Sequence, residues 1–451
     1  MHARFTSASC LALLSFLLAG LAGLSAPTGP GDDARIVFVA SEGIGRIAVS
    51  VRSPLIPRYP EGAPVVVNVS GFFTGSSGFN YSLDPDALGA IYVTYLWPGK
   101  GDPQTGSQSE GTFDFGGPDC LAALRDVVRF ATGEIPNVDG DFLHDLATVP
   151  VLYDVAGLYA FSHSGIVATN VLGHHGADLQ GVDFFVGREN PTIDPMYPLE
   201  PGHWDDETGR PVHNPFYDPA GYTPTSIDIG YSTVYWLQNA EYPEGRPAFR
   251  SASGEGAGSA GNADYICSFK HPRMWEKDYW STDLLQALLD NGALTRETWP
   301  GSLATPEEAA AHWPFRTTVE NYEPLGEALP QLKTMLVFAA DDHVQTAIDK
   351  PHIHQAYDGF HEAARLWCRM NPDRAYVEAL AGAGAGTGNA IPDNPANREP
   401  ATWMVIRSWG YLTPGGVNLN VLVPLAAVAE MCDRTYYDVW DDDLEGVLHD
   451  F

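Results

Sequence analysis

Two serines stand two residues apart in the stretch AFSHSGIVATN, residues 160–170, with a histidine between them and a glycine after them. The preceding run VAGLYAFS has the composition of a buried strand, and the following run GIVATNVLGHHG has helical spacing. A serine exposed on a sharp turn from strand to helix can act as the nucleophile in acyl transfer. The stretch therefore predicts a nucleophilic serine, and the residue types around it must decide which serine that is.

The tightness of such a turn decides the register. Side chains two residues before and two residues after the nucleophile must be small, because larger ones would collide with the neighbouring strand and helix. Centred on Ser162, these flanks are Ala160 and Ser164; centred on Ser164, one flank is the bulky Ile166. We therefore predict Ser162 as the nucleophile. The backbone N–H of His163, at the start of the helix, would be an oxyanion donor, and we expect its side chain to point away from Ser162.

The elements that must position this serine follow an alternating pattern. Continuous apolar runs with the character of strands buried on both faces alternate with segments of helical spacing. This pattern predicts an α/β fold with a mainly parallel, doubly wound sheet. The predicted strands are ARIVFVA, GRIAVSVRSPLIP, APVVVNVSGFF, GAIYVTYLWPG, VAGLYAFS, LQGVDFFVG, LKTMLVFAADD and RAYVEALAG, and the segment HIHQAYDGFHEAARLW is predicted to be helical.

Element order and the serine turn together resemble the α/β-hydrolase fold superfamily, whose members include serine esterases and peptidases. The resemblance covers most of residues 35–390 outside an inserted segment. It implies a second oxyanion donor in the loop after the third strand, here SGFFTGSSG, where Gly71 and Phe72 occupy the matching place. A plain turn is the alternative interpretation of this loop.

The same resemblance implies an acid after the seventh strand. Asp342 fits this place in MLVFAADDHVQ, and Asp341 is the second choice. Glu189 or Asp194, after the sixth strand, would match the alternative acid position of the superfamily.

The histidine of the superfamily normally follows the eighth strand, and here that region contains none. Beyond His361 the only histidine is His449. Three explanations stay open: His343, His352 or His354 turns into the site, the tail brings in His449, or the chain has no base. Of these, His354 and His343 are the preferred candidates, because they lie in or beside the loop after the seventh strand.

The alternation of elements breaks between Gly187 and Leu332. This stretch is rich in Trp, Tyr, Pro and Gly, and a structureless loop of that length is implausible in a compact domain. We predict a core over residues 27–186, an inserted cap over 187–330 between strands six and seven, and the rest of the core with an acidic tail over 331–451. Aromatic residues of the cap would favour an apolar or aromatic substrate, and they include Trp204, Tyr217, Tyr235 and Trp236.

Charge and targeting signals bear on compartment and partners. The formal net charge of −32 argues against binding to nucleic acid or to anionic membranes. Residues 1–26 have the features of a cleaved signal peptide and predict a secreted or periplasmic protein with no membrane span after cleavage. Four cysteines would remain: Cys120, Cys267, Cys368 and Cys432. Two disulfides or four buried thiols are equally consistent with their number and spacing.

Together these features predict an exported serine hydrolase that cleaves a small-molecule carboxylic ester through an acyl-enzyme. The mechanism requires neither a metal nor an organic cofactor. A peptidase on the same fold is one alternative. A catalytically inactive binding protein that lacks the usual histidine is the other.

Overall fold

The computed structural model describes thirteen parts of the chain. They are residues 34–71, 78–114, 116–192, 203–212, 231–237, 246–249, 265–266, 287–297, 311, 313–315, 317–339, 351–383 and 419–440. The predicted signal peptide lies outside the described residues.

An eight-stranded sheet forms the centre of the molecule. Its strands are β1 (Arg35–Ser41), β2 (Gly45–Arg52), β3 (Ala63–Val69), β4 (Ile91–Tyr95), β5 (Val151–Phe161), β6 (Phe184–Arg188), β12 (Lys333–Val337) and β13 (Trp367–Met370). Their spatial order is β1-β2-β4-β3-β5-β6-β12-β13. β1 and β2 pair antiparallel, β2 meets β4 antiparallel, and every later pairing in this sheet is parallel. This is the strand order of the α/β-hydrolase fold, so the predicted fold class is confirmed.

Eight α-helices whose bounds are described connect or cover the strands. They are α1 (Pro85–Leu88), α2 (Pro118–Ala131), α3 (Leu143–Leu146), α4 (Ser164–His175), α5 (Tyr322–Ala328), α6 (Pro351–Asp358), α7 (Arg374–Ala383) and α8 (Leu419–Tyr437). Helices α2, α4, α5 and α6 contribute to the core on one face of the sheet, and α1, α7 and α8 contribute to the core on the other. Strands β3, β4 and β6 are buried along their whole length, as strands covered on both faces must be.

The eighth strand is not where the sequence pattern placed it. RAYVEALAG, predicted as a strand, lies in helix α7, and β13 is the preceding segment WCRM. The prediction is wrong because buried Tyr376, Val377 and Leu380 are spaced one and four residues apart, which suits one face of a helix. The changed position of the eighth strand does not supply the missing histidine, since the sequence has none between β13 and His449.

Helix α8 carries buried charges into the core. Asp433 accepts two hydrogen bonds from the guanidinium of Arg58, at 2.6 and 2.7 Å, and one each from the hydroxyls of Tyr59 and Tyr376. Both members of this ion pair have fully buried side chains. Each carboxylate oxygen therefore has partners that offset its loss of hydration, and the cluster fixes α8 against the residues that precede β3.

Smaller sheets occur within the predicted cap. One is a hairpin of β7 (His203–Asp205) and β8 (Arg210–Val212), and the other contains β9 (Tyr235–Leu237), β10 (Arg246–Phe249) and β11 (Tyr265–Ile266). Both fall between β6 and β12 in the sequence. The boundaries of the cap stay a prediction.

The described cysteines form no disulfide. Cys120, Cys368 and Cys432 are free and buried, and Cys267 lies outside the described residues. Cys120 belongs to α2 on one face of the sheet, while Cys432 belongs to α8 on the other. Because a disulfide requires Cα atoms within about 7 Å, the sheet keeps this pair apart. The alternative interpretation, buried thiols, is correct for these three cysteines.

Among the described residues, no helix combines the length and the apolar character that a membrane span requires.

Candidate active site

Ser162 occupies the turn between β5 and α4. Its φ is 58°, in the left-handed region that non-glycine residues rarely adopt. Its N–H donates to the carbonyl of Arg188 at the end of β6, at 2.8 Å, and its carbonyl accepts from the N–H of Gly165 at 2.9 Å. The residue is half-buried, and it stands at the carboxyl edge of the parallel strands, where ligands bind in open α/β sheets.

Ser164 has a different environment. It is buried, its hydroxyl donates to the carbonyl of Phe161 at 2.7 Å, and the same oxygen accepts from the N–H of Phe161 at 3.1 Å. The hydroxyl of Ser164 therefore joins the end of β5 to the first turn of α4. Of the two serines, Ser162 has the more exposed side chain and the strained backbone.

The side chain of His163 does not point away from Ser162, so that prediction is wrong. Its Nδ1 lies 3.3 Å from Oγ of Ser162, at the long end of the hydrogen-bonding range. The chain reverses sharply at Ser162, and this brings the two consecutive side chains together. His163 is buried, so the imidazole contacts the hydroxyl from the protein side of the turn.

Two predicted oxyanion positions lie at the same edge of the sheet. His163 directly precedes the first residue of α4, where the helix dipole favours negative charge. Gly71 follows β3 and is half-buried, and no described atom lies within 4 Å of the place a Cβ would take. The preceding Ser70 is fixed by bonds to the carbonyl of Tyr95 and from the indole of Trp97. Phe72 lies outside the described residues.

Two side chains hold the start of the segment after β12. The N–H of Phe338 donates to Oδ1 of Asn371 at 3.0 Å, and the N–H of Ala339 donates to Oε1 of Glu189 at 2.8 Å. Glu189 and Asn371 both have positive φ, at 49° and 61°, and each follows a strand that flanks β12. Backbone strain of this kind is found most often at active sites and ligand-binding sites. Glu189, a predicted alternative acid, thus binds a backbone amide with one carboxylate oxygen.

Most of the predicted acids and several candidate bases lie outside the described residues. These are Asp194, Asp341, Asp342, His343 and His449. Their roles stay predictions.

His354 is half-buried in α6, one helical turn before Asp358. Burial raises the pKa of the Asp358 carboxyl, and the nearby Glu362 adds to this, while His354 acts in the opposite direction. Among the described residues, no hydrogen bond joins His354 to Ser162.

The next side chain, Gln355, contacts the hydroxyl of Thr192 in the segment after β6. Helix α6 is thus anchored at the edge where Ser162 stands. His352 belongs to the same helix.

An aromatic ring and a cation flank the serine. Phe161, directly before Ser162, is 39% exposed, and the guanidinium carbon of Arg188 lies 4.5 Å from the centre of its ring. Arg188 also donates to the backbone and side-chain oxygens of Asn420, at the start of α8. Helix α8 therefore contributes to the fixed arrangement beside the turn. Sequence reasoning missed Arg188 and Asn420, although Arg188 directly follows the predicted strand LQGVDFFVG.

The four predicted substrate-facing aromatics are only partly described. Tyr235 is exposed and Trp236 is half-buried in β9, Trp204 belongs to β7, and Tyr217 lies outside the described residues.

A surface cavity of about 410 Å³ lies at the other end of α4. Glu42, Asp119, His174, His175 and Phe315 are among the residues that line it. A helix of 12 residues is about 18 Å long, so this cavity is separate from the serine. Within the described residues, no group of three or more His, Cys, Asp or Glu side chains could hold a metal ion.

No protein-family model matches the chain, and no curated protein matches it in sequence. Among solved structures it is similar to an esterase of the archaeon Pyrobaculum calidifontis, with 12% identity, a TM-score of 0.39, and coverage of 94% of this chain and 88% of that chain. It is also similar to an esterase of Pseudomonas putida ECU1011, with 10% identity, a TM-score of 0.41, and coverage of 95% and 89%. A third structure, dipeptidyl peptidase 4 of Porphyromonas gingivalis, has 10% identity and a TM-score of 0.35; 75% of this chain matches 31% of that one. It is the strand order of the sheet that shows the fold of this chain.

Proposed function

We propose that this protein is an exported serine hydrolase that cleaves small carboxylic esters. The observation that supports the proposal is the conformation of Ser162: a half-buried serine with φ of 58° between a parallel strand and a helix. Such strain has a cost of about 1–3 kcal/mol. Glycine would adopt the same turn without this cost, so the backbone conformation alone does not call for a serine here.

The proposed reaction proceeds through an acyl-enzyme. Oγ of Ser162 attacks the ester carbonyl and its proton passes to a base, while the N–H groups of His163 and of Gly71 or Phe72 stabilise the oxyanion. The tetrahedral intermediate collapses, the alcohol leaves with the proton, and water then releases the acid by the same steps in reverse. Asp342 is the proposed acid that orients the base.

Three histidines are proposed as the base. Of the described candidates, His163 contacts Oγ of Ser162, and His354 and His343 follow from the position of the loop after β12. Alanine variants at these positions separate them. His163→Ala removes the imidazole but keeps the backbone N–H, so it tests the side chain alone. We expect one variant to lose several orders of magnitude in kcat, as triad members do, and the other two to lose little.

Fluorophosphonate labelling and hydrolysis of short-chain nitrophenyl esters test the proposed function itself. We expect covalent labelling at Ser162, and loss of labelling and turnover in Ser162→Ala. Ser164→Ala should retain most turnover while its melting temperature falls, because it loses two buried hydrogen bonds. If the wild type is neither labelled nor active, the inactive binding protein is the better interpretation. Turnover of peptide amides at a rate approaching that of matched esters would favour the peptidase, because an esterase hydrolyses the less reactive amides very slowly.

A further inference from the structure

One amide side chain holds the nucleophile turn from the neighbouring strand. Asn190 follows β6 by two residues and is buried, with 6% exposure. The two N–H groups of its Nδ2 donate to three backbone carbonyls, two of which share one hydrogen: that of Ser162 at 2.8 Å, of Arg188 at 3.1 Å and of Ala160 at 3.2 Å. Three acceptors around one atom identify it as the amide nitrogen and fix the orientation of the side chain.

These bonds act on both peptide groups of the strained residue. The N–H of Ser162 donates to the carbonyl of Arg188, and its carbonyl accepts from Nδ2 of Asn190. The carbonyl of Arg188 accepts from both Ser162 and Asn190. The dihedral angles of Ser162 are therefore set by a closed group of hydrogen bonds between the ends of β5 and β6.

Close packing keeps the amide in place. A Cβ on Gly165 would lie 2.0 Å from Cγ of Asn190, and a Cβ on Gly187 would lie 2.2 Å from its Oδ1. Neither position accepts a side chain while Asn190 keeps its place. Position 165, three residues after Ser162, must therefore be glycine, because a side chain there would collide with Asn190. This requirement is separate from the need for small residues two positions before and two positions after Ser162.

We propose that Asn190 is a positioning residue for the reaction of Ser162, which holds the serine in its left-handed conformation and so aims Oγ at the substrate. The inference rests on the proposed hydrolase function. A displacement of about 1 Å at a reacting atom can cost about a hundredfold in rate. Loss of this side chain should therefore lower the rate of the chemical step more than it lowers binding.

The experiment compares Asn190→Ala and Asn190→Asp with a matched control, Asn170→Ala. Asn170 is also a buried asparagine, lies on α4, and donates to the carbonyl of Phe315 while accepting from Asn321. For each protein we would measure kcat, KM, the rate constant of fluorophosphonate labelling and the melting temperature. We expect both Asn190 variants to lose roughly tenfold to a hundredfold in kcat and in labelling rate, with KM within about threefold. Asn170→Ala should lose stability with kcat nearly unchanged.

Two further measurements keep the proposal testable if Asn190→Ala folds poorly. Asn190→Asp has nearly the same shape, and its carboxyl can donate one hydrogen bond when protonated. Its kcat relative to wild type should therefore rise as the pH falls from 8 to 5. Gly165→Ala leaves Asn190 intact but displaces it, and should lower kcat in the same way.

The outcomes separate the two proposals. If wild-type Ser162 is labelled but the folded Asn190 variants keep kcat within twofold of wild type, Asn190 is only structural and the inference is wrong. A kcat loss in Asn170→Ala equal to that in Asn190→Ala would also overturn it, because general destabilisation would then explain both. If wild-type Ser162 is not labelled, it is the hydrolase proposal that fails.

Discussion

Ser162 holds a backbone conformation that its side chain disfavours. With φ at 58°, its Cβ approaches the following carbonyl, at a cost of about 1–2 kcal/mol for a residue other than glycine. The hydrogen bond from Ser162 to the carbonyl of Arg188, and the bonds that Ser162 accepts from Gly165 and Asn190, hold the turn against this cost. Stability is thus given up at the residue that we propose as the nucleophile.

A comparison of two variants tests this strain. Ser162→Gly should be more stable than Ser162→Ala by about 1 kcal/mol, because glycine adopts a positive φ without steric cost. Neither variant has a hydroxyl, so the difference isolates the backbone. Chemical denaturation measures it. Ala168→Gly, inside α4, is the control and should destabilise by about 1 kcal/mol. Equal stabilities for the two Ser162 variants would show that the turn is unstrained.

The residues around the serine show where sequence reasoning reaches its limit. The sizes of Ala160 and Ile166 were sufficient to prefer Ser162 over Ser164, because the argument needs only volumes next to a turn. The orientation of the His163 ring depends on the dihedral angles of the turn itself, and the general pattern misplaced it. Asn190 binds across two strands, so no local spacing could reveal its contact with Ser162.

At the scale of elements, β6 has different environments at its two ends. Its carboxyl end meets the turn that contains Ser162, while Asp183 precedes its amino end and accepts from the N–H of Ala156 at 2.9 Å. Burial raises the pKa of the Asp183 carboxyl to about 6, and the charge of Asp154 adds to the shift although the hydrogen bond from Ala156 opposes it. The ionised carboxylate is therefore disfavoured in the folded state.

Asp183→Asn should increase stability at neutral pH. The folded pKa of about 6 exceeds the unfolded value of about 3.9, so wild-type stability falls as the pH rises from about 4 to about 6 and stays lower above that. The neutral variant should gain on the order of 1–2 kcal/mol at pH 7 and nothing below pH 4. Melting temperatures across this range measure the gain.

A second variant and a turnover measurement serve as controls for that experiment. Asp154→Asn removes only the smaller electrostatic contribution, so its gain should be smaller. Turnover in Asp183→Asn should equal that of the wild type, because the carboxylate lies at the edge of the sheet opposite Ser162. A gain that persists at pH 3.5 would mean that charge is not its cause.

Elements with a clear local sequence pattern were predicted correctly, whereas elements whose residues depend on contacts distant in sequence were not. The strands from β1 to β6 have apolar runs bounded by turn residues, and the pattern found each of them. The segment after β12 was harder, because WCRM is too short to be distinguished from the end of a helix. Helix α8 was missed: Pro424 interrupts its pattern, and buried Glu430, Asp433 and Arg434 obscure its apolar face. Those charges are explained by partners distant in sequence, such as Arg58.

At the scale of the whole molecule, alternation of strands and helices predicted the sheet, because a parallel connection needs a crossover and leaves few topologies. The cysteines were not predictable in the same way. Their number allowed two disulfides, and only the arrangement of layers shows that Cys120 and Cys432 lie on opposite faces of the sheet. The number of cysteines does not show which of them lie close enough to form a disulfide.

The three described thiols are shielded from reagents by burial. Burial raises the pKa of Cys368 and Cys432 to about 12, and the pKa of Cys120 is also raised well above its usual value by burial. A buried, protonated thiol is a poor nucleophile. Differential alkylation with peptide mapping should therefore leave all three unmodified in the native protein. All three should react after denaturation without a reductant, and the melting temperature should not change when a reductant is added. Labelling of any of the three only after reduction would show that a disulfide had formed, which would require Cα atoms within about 7 Å and so a different packing of α2, α8 or β13.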